Sequence, residues 1–155
     1  MASQPGERGF DAGKKIMGRK RHILVDTLGL LLGVVVHPAN VQDRDGAKLL
    51  APWLLLYGWL KVVFVDGGYS GALAGWFQSL SRKRKVRMEV VKRPRDAKGF
   101  ILQPKRWVVE RTFAWLSNFR RLSKDYEVKT SHSEAFINLA SGFLLARRLA
   151  KSKPV

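Results

Sequence analysis

The run Lys61-Val62-Val63-Phe64-Val65 constrains the fold more than any other part of this chain. It is apolar without alternation, rich in β-branched residues and too short for a buried helix. That pattern fits a strand covered on both faces, the usual setting of parallel pairing. A strand of that kind needs helices on both sides, which makes the chain α/β. Asp66-Gly67-Gly68-Tyr69-Ser70 follows as a turn, and Gly71 to Leu80 reads as a helix despite Gly75.

The other segments agree. His22-Ile23-Leu24-Val25 and Leu30 to His37 are β-rich runs with a Gly-containing break between them, a hairpin ended by Pro38. Asp43 and Asp45 are placed to cap a helix over Gly46 to Tyr57, which Pro52 would interrupt. Met88 to Val91 is a short strand. Arg106 to Lys124 is the clearest helix, with Val108, Thr112, Trp115, Leu116, Phe119 and Leu122 on one side. Ser131 to Glu134 has capping-box spacing and opens a last helix to about Ala150, apolar almost all round and expected to be buried. Residues 1–18 read as a flexible basic arm, 19–150 as one domain with a mixed sheet flanked by helices, and 151–155 as a fraying tail.

Twenty-nine Lys and Arg stand against 12 Asp and Glu, a formal charge of +17. That excess points to a polyanion, most simply nucleic acid. With no cysteine, a disulfide framework, a thiolate metal site and a cysteine nucleophile are excluded. The longest apolar run, Leu28 to Val36, is shorter than the roughly 20 residues a membrane span needs, so no membrane role is expected. The basic residues fall into runs: Lys14 to Arg21, including Arg19, Lys20 and Arg21; Arg82 to Arg87; Lys92, Arg93 and Arg95; and Arg120, Arg121 and Lys124. Such runs suit phosphate contacts. Trp107, near the edge of its helix, suits either rim packing or stacking on a base.

Two carboxylates stand out. Asp66 ends a central strand, where ligands collect in open α/β sheets; its Asp-Gly pair would equally suit a tight hairpin turn. Glu110 lies four residues after Arg106 on the polar side of its helix. It reads as a surface salt bridge or as a metal ligand reaching toward Asp66, a pair suited to a hard cation such as Mg²⁺. His22, His37 and His132 have no metal-ligand spacing.

Four blocks taken together resemble bacterial insertion-sequence transposases of the DDE class, nearest to the insertion sequence five family. They are Gly13-Lys-Lys-Ile-Met-Gly-Arg-Lys-Arg-His-Ile-Leu-Val-Asp-Thr-Leu-Gly-Leu, then His37-Pro-Ala-Asn with Asp43-Arg-Asp-Gly-Ala, then Val65-Asp-Gly-Gly-Tyr, and Arg106-Trp-Val-Val-Glu-Arg-Thr-Phe-Ala-Trp-Leu. The similarity runs from about Gly9 to Leu149 in unchanged order. The resemblance implies an RNase H-like fold in which three carboxylates hold two divalent metals, Mg²⁺ or Mn²⁺, for DNA strand cleavage and transfer. Asp66 matches the family's second Asp, Glu110 its Glu, and Arg106 the Arg before that Glu. The family's signature Tyr and Lys fall at Gln103 and Ser117, so half of that signature is present, and Arg121 is the candidate replacement for the Lys. The family's first Asp lies upstream of the Gly-Arg-Lys-Arg-His block on the first strand of the sheet, and Asp11 does not match it. The resemblance therefore implies a domain truncated at its N-terminus, completed by upstream sequence such as a frameshift partner, acting on transposon-end and target DNA, as a homo-oligomer on that DNA, in the bacterial cytoplasm at the nucleoid. A DNA-binding fragment without catalysis, or a decayed remnant, fits the same charge.

Overall fold

The computed structural model describes residues 7–69, 72–81, 86–91 and 105–152. The hairpin expected from the valine-rich runs is present as β2 (Ile16–Val25) and β3 (Leu31–Pro38), antiparallel from Arg19↔Pro38 to Val25↔Leu31 with an irregularity at Leu24/Val25. Asp26 shapes its turn: Oδ1 accepts from the Leu28 and Leu30 amides, both at 2.8 Å. Gly29 has φ +80° there, and any side chain at that position would strike Thr112 and Trp115.

The segment assigned to a flexible arm carries structure. β1 (Gly9–Asp11) pairs antiparallel with Ile16–Gly18, so β2 begins three residues before the expected Arg19. Its turn is held by Asp11 Oδ1, which accepts from the Gly13 and Lys14 amides. Basic, glycine-rich composition concealed a three-residue strand that only a neighbouring strand makes effective.

The helix expected over Gly46 to Tyr57 is two helices, α1 (Asp43–Lys48) and α2 (Ala51–Leu56), and Pro52 sits in the first turn of α2 where its missing N–H costs nothing. Asp43 and Asp45 occupy the first turn of α1 rather than capping it; Gln42 is the N-cap. β4 (Val62–Asp66), a single 3₁₀ turn over Gly67–Tyr69, α3 (Ala72–Ser81) and β5 (Arg87–Val91) then form a parallel βαβ unit. That arrangement excludes the hairpin reading of Asp66-Gly67.

α4 (Arg106–Ser117) stops seven residues short of the expected Lys124; a 3₁₀ turn over Arg120–Leu122 follows, after an extended Phe119. α5 (Thr130–Lys151) has Lys129 as N-cap and does not use the capping box: Ser133 donates to Asp125 Oδ1 at 2.7 Å, and Glu134 Oε1 accepts from the Val36 amide at 2.8 Å. Nor is α5 buried all round, since Leu139, Phe143 and Leu149 are exposed.

The expected mixed sheet is two sheets among the described residues: antiparallel β1-β2-β3 and parallel β4-β5. Both share one core. Leu24 and Val35 join Leu50, Leu54, Phe77 and Val86 in one cluster, with Val63 and Met88 against it. The alternate residues Val34 and Val36 face the other way, onto Leu116, Leu122, Ile137 and Ala140. Helices α2 and α3 therefore cover one face, and α4 and α5 the other, as the period of two in β3 requires. The α/β reading holds; a single continuous sheet does not.

Arg19 ties these layers together. Its side chain is 1% exposed and reaches Asp125 Oδ1 at 3.2 Å, the Glu127 carbonyl at 2.9 Å and the Val128 carbonyl. Burial would raise the Asp125 carboxyl, but hydrogen bonds from Ser133 and the Glu127 amide, with the Arg19 charge, hold it below the ordinary carboxylate range. Removing one partner of a buried pair strands the other. Arg19→Ala is expected to cost about 3 kcal/mol in urea unfolding, and Arg19→Lys to recover only part, because a lysine cannot reproduce the guanidinium fork. An Arg19→Ala loss under about 0.5 kcal/mol, the size of a surface substitution, would contradict this role.

Candidate active site

Asp66 ends β4 and Glu110 lies one turn into α4. Both line one cavity of about 320 Å³ between the two sheets, with Arg21, Lys105 and Arg106. The sequence had allowed Glu110 only a surface role or a reach toward Asp66, and the fold places the two side chains on walls of the same space. Glu110 is also in the expected surface pair, at 3.2 Å from Arg106 Nε, with both side chains about half exposed or more. In that setting the pair contributes little to stability.

At the start of α4, Lys105 adopts a left-handed conformation (φ 70°) and carries its ammonium over the Phe64 ring at 3.6 Å. Sequence reasoning missed it, because a lone lysine after a basic loop gives no signal.

Next to Asp66 is a buried polar group that periodicity also missed. His22 and His37 are buried and stack at 4.8 Å with an interplanar angle of 17°. Both rings press on Gly46, which explains a glycine inside α1: a side chain there would collide with each imidazole. The His37 Nδ1–H donates to the Pro38 carbonyl at 2.8 Å, since that oxygen can only accept. His22 Nδ1 is 2.9 Å from the Tyr69 hydroxyl, and Nε2 of both rings has no hydrogen-bond partner among the described residues. Burial pulls the His22 imidazole down to about 4, aided by His37. Burial, with Asp66 and Asp43 nearby, pushes the Tyr69 hydroxyl up to about 12. The motif residues His22, His37, Gly46 and Tyr69 thus form a buried buttress behind Asp66.

The family described as "Transposase DDE domain" matches residues 2–142. This chain belongs to the DDE transposase domain family. It is 33% identical over 130 residues to a putative transposase for insertion sequence element IS402 from Burkholderia cepacia, a match covering 79% of this chain and 60% of that protein. The chain thus spans about three-fifths of that relative's length. No solved structure matches it.

The expected DNA contacts divide four ways. Arg19 is a correction: it is buried on Asp125 and cannot meet a phosphate. Lys20 is held by Asp43 at 3.0 Å and the Val41 carbonyl, and Arg21 donates to the Leu122 carbonyl while lining the cavity. Arg121 does not continue the Glu110 face, because α4 has ended; it pairs with Glu127 at 2.7 Å and lies over Phe136. Lys92 and Arg93 lie outside the described residues. Arg106, half exposed and paired with Glu110, lines the cavity with Arg21. Trp107 packs at the rim under Arg111 rather than standing clear.

For a divalent cation, two carboxylates are the right donor type. Among the described residues, however, no group of three His, Cys, Asp or Glu is assembled to hold one. The cavity therefore offers part of a ligand set. Among those residues no helix is long and apolar enough to cross a membrane.

The histidine buttress gives the domain an acid limit. His22 takes up protons near 6.5 when unfolded but near 4 when folded, so the unfolded state binds more protons between those values. Its contribution is complete above about pH 6.5 and is lost as the pH falls toward 4, on the order of 3 kcal/mol in total. Urea unfolding from pH 7 to 4 is expected to show this loss, and His22→Gln to flatten it. An equally steep profile in the variant would assign the acid limit elsewhere.

Proposed function

We propose that this chain is the catalytic part of an insertion-sequence transposase of the insertion sequence five type, with an RNase H-like fold. It would cleave DNA strands and transfer them by two-metal phosphoryl transfer, and be competent only when upstream sequence supplies a third carboxylate. The observation that supports this reading is that Asp66 and Glu110, from separate elements, line the same cavity. Asp66, at the end of a strand held in register by β5, would be the more rigid ligand. Glu110 would complete one ion from the helix. Bound Mg²⁺ or Mn²⁺ would supply Lewis-acid polarisation of the phosphodiester and a more nucleophilic hydroxyl.

The remaining roles belong to the chain's own side chains. Arg106 turns Glu110 by the ion pair and is placed to meet a phosphate. Tyr69, held protonated by burial and by the Asp66 charge, lies between His22 and the site. The +17 charge would bring in DNA, with an affinity that falls steeply as salt rises. An upstream frameshift product, as source of the third carboxylate, and a homo-oligomer on DNA are the proposed partners.

The test is nicking of supercoiled DNA by the chain extended with its upstream coding sequence. Nicking is expected to require Mg²⁺ or Mn²⁺. Asp66→Asn and Glu110→Gln should each lower it by roughly a hundredfold or more, at least what loss of a residue behind a metal ligand costs, with DNA affinity unchanged. Salt-sensitive DNA binding without metal-dependent nicking would replace this reading with the DNA-binding fragment.

A further inference from the structure

The hairpin made by β1 and the start of β2 is a two-stranded ribbon fixed at its base. Gly9 lies against Asn40, where any side chain would collide. Glu7 Oε2 accepts from the Thr130 amide at 3.1 Å and from the Thr130 hydroxyl, which ties the entry of the ribbon to the start of α5. Arg19, just past Gly18, is the buried guanidinium on Asp125. At the other end Asp11 shapes the turn through the Gly13 and Lys14 amides. Lys15 takes φ 53° there, a left-handed conformation that glycine or asparagine adopts more readily.

This anchored ribbon holds apolar and basic side chains out in solvent. Phe10 and Met17 are directly opposite in the register, so both stand on one face, and they are 51% and 63% exposed. Lys14 and Lys15 are exposed in the turn. The ribbon's one acid, Asp11, is engaged by the turn amides and lies 3.8 Å from Lys20. The ribbon also points to the side where Asp66 lies. His22 meets Tyr69, just past the end of β4, while Leu24, further along β2, packs with Val63 near the start of β4. β2 therefore runs opposite to β4, and residues 9–18 lie beyond the end of β4 that carries Asp66. At about 3.4 Å per residue, Lys15 stands roughly 20 Å past His22 along the strand.

We infer that the ribbon Gly9–Gly18 is a DNA contact that enters the major groove of a duplex, with Lys14 and Lys15 on phosphates and Phe10 and Met17 against base edges and thymine methyl groups. The major groove of DNA admits a two-stranded ribbon, whereas that of duplex RNA is too narrow. Charge complementarity selects a polyanion, and the placement of the apolar pair selects a duplex over a lipid surface. A membrane wedge would carry its apolar residues at the tip, but here the tip is the lysine-bearing turn and the apolar pair sits on the flank. The inference rests on the reading of this chain as one that acts on DNA, and it needs neither the metals nor the carboxylates.

The test is fluorescence anisotropy of the full 155-residue chain on a labelled DNA duplex of two helical turns, from about 50 to 200 mM salt. Lys14→Gln with Lys15→Gln is expected to lower the slope of log affinity against log salt by about 2, one for each phosphate contact, with the thermal melt unchanged. Phe10→Ala with Met17→Ala should weaken binding severalfold at an unchanged slope. If that pair lowers the melt, Met17→Gln alone carries the same test. Lys124→Gln with Lys151→Gln removes equal charge from exposed positions elsewhere and should leave the slope in place. An unchanged slope in the Lys14/Lys15 variant, or an equal fall in the Lys124/Lys151 control, would overturn the ribbon and leave the DNA reading standing. An effect of the lysines without one of Phe10 and Met17 would overturn its place in the groove. Dependence on Phe10 and Met17 with phosphatidylserine vesicles but not with the duplex would assign the ribbon to a membrane instead. Failure of the unaltered chain to bind the duplex at all would overturn both the ribbon and the DNA reading.

Discussion

The buried guanidinium of Arg19 is the interaction on which the arrangement of layers depends. A charge that is 1% exposed is tolerable only with its hydrogen-bond capacity used, and the partners come from far along the chain: Asp125, the Glu127 and Val128 carbonyls and Ser133. Those groups lie in the link between α4 and α5 and in the first turn of α5. Satisfying one arginine on β2 thereby positions the helical layer against the sheet. Glu134 repeats the device on β3 by accepting from the Val36 amide, which an adjacent strand would otherwise claim.

With the layers held, α4 has one way to lie. Thr112 donates to the Gly29 carbonyl at 2.9 Å and Arg111 to that of Leu28, and both anchors belong to the hairpin turn of the antiparallel sheet. The N-terminal half of the helix then passes over the space between the sheets, and this carries Glu110 to the cavity that Asp66 reaches from β4. A surface ion pair and a position on a cavity wall are compatible for Glu110, because an exposed pair is weak enough to yield to a stronger ligand.

Much of this was legible in the residues. The valine-rich runs, the βαβ order around Asp66 and the buried stripe of α4 follow from periodicity, which reports burial directly. Errors fell where local chemistry and tertiary contact compete. Composition made residues 9–18 an arm, yet a short strand forms because β2 offers it an edge. Periodicity carried α4 on to Lys124, yet the chain turns extended at Phe119 and re-enters only as a 3₁₀ turn. The basic runs were taken as DNA contacts, yet Arg19 and Lys20 are paired with acids from distant segments and Arg121 with Glu127 six residues on.

The sequence by itself determined the α/β class, the strong positive charge, the family to which the chain belongs and the two carboxylates worth following. Each of these is written in local spacing, in composition or in ordered motif blocks. Only the tertiary structure decided that Asp66 and Glu110 share a cavity, that the motif histidines stack over Gly46, and that the described strands divide into two sheets. These depend on which segments far apart in the chain come into contact, and a buried charge has no signature in the residues beside it.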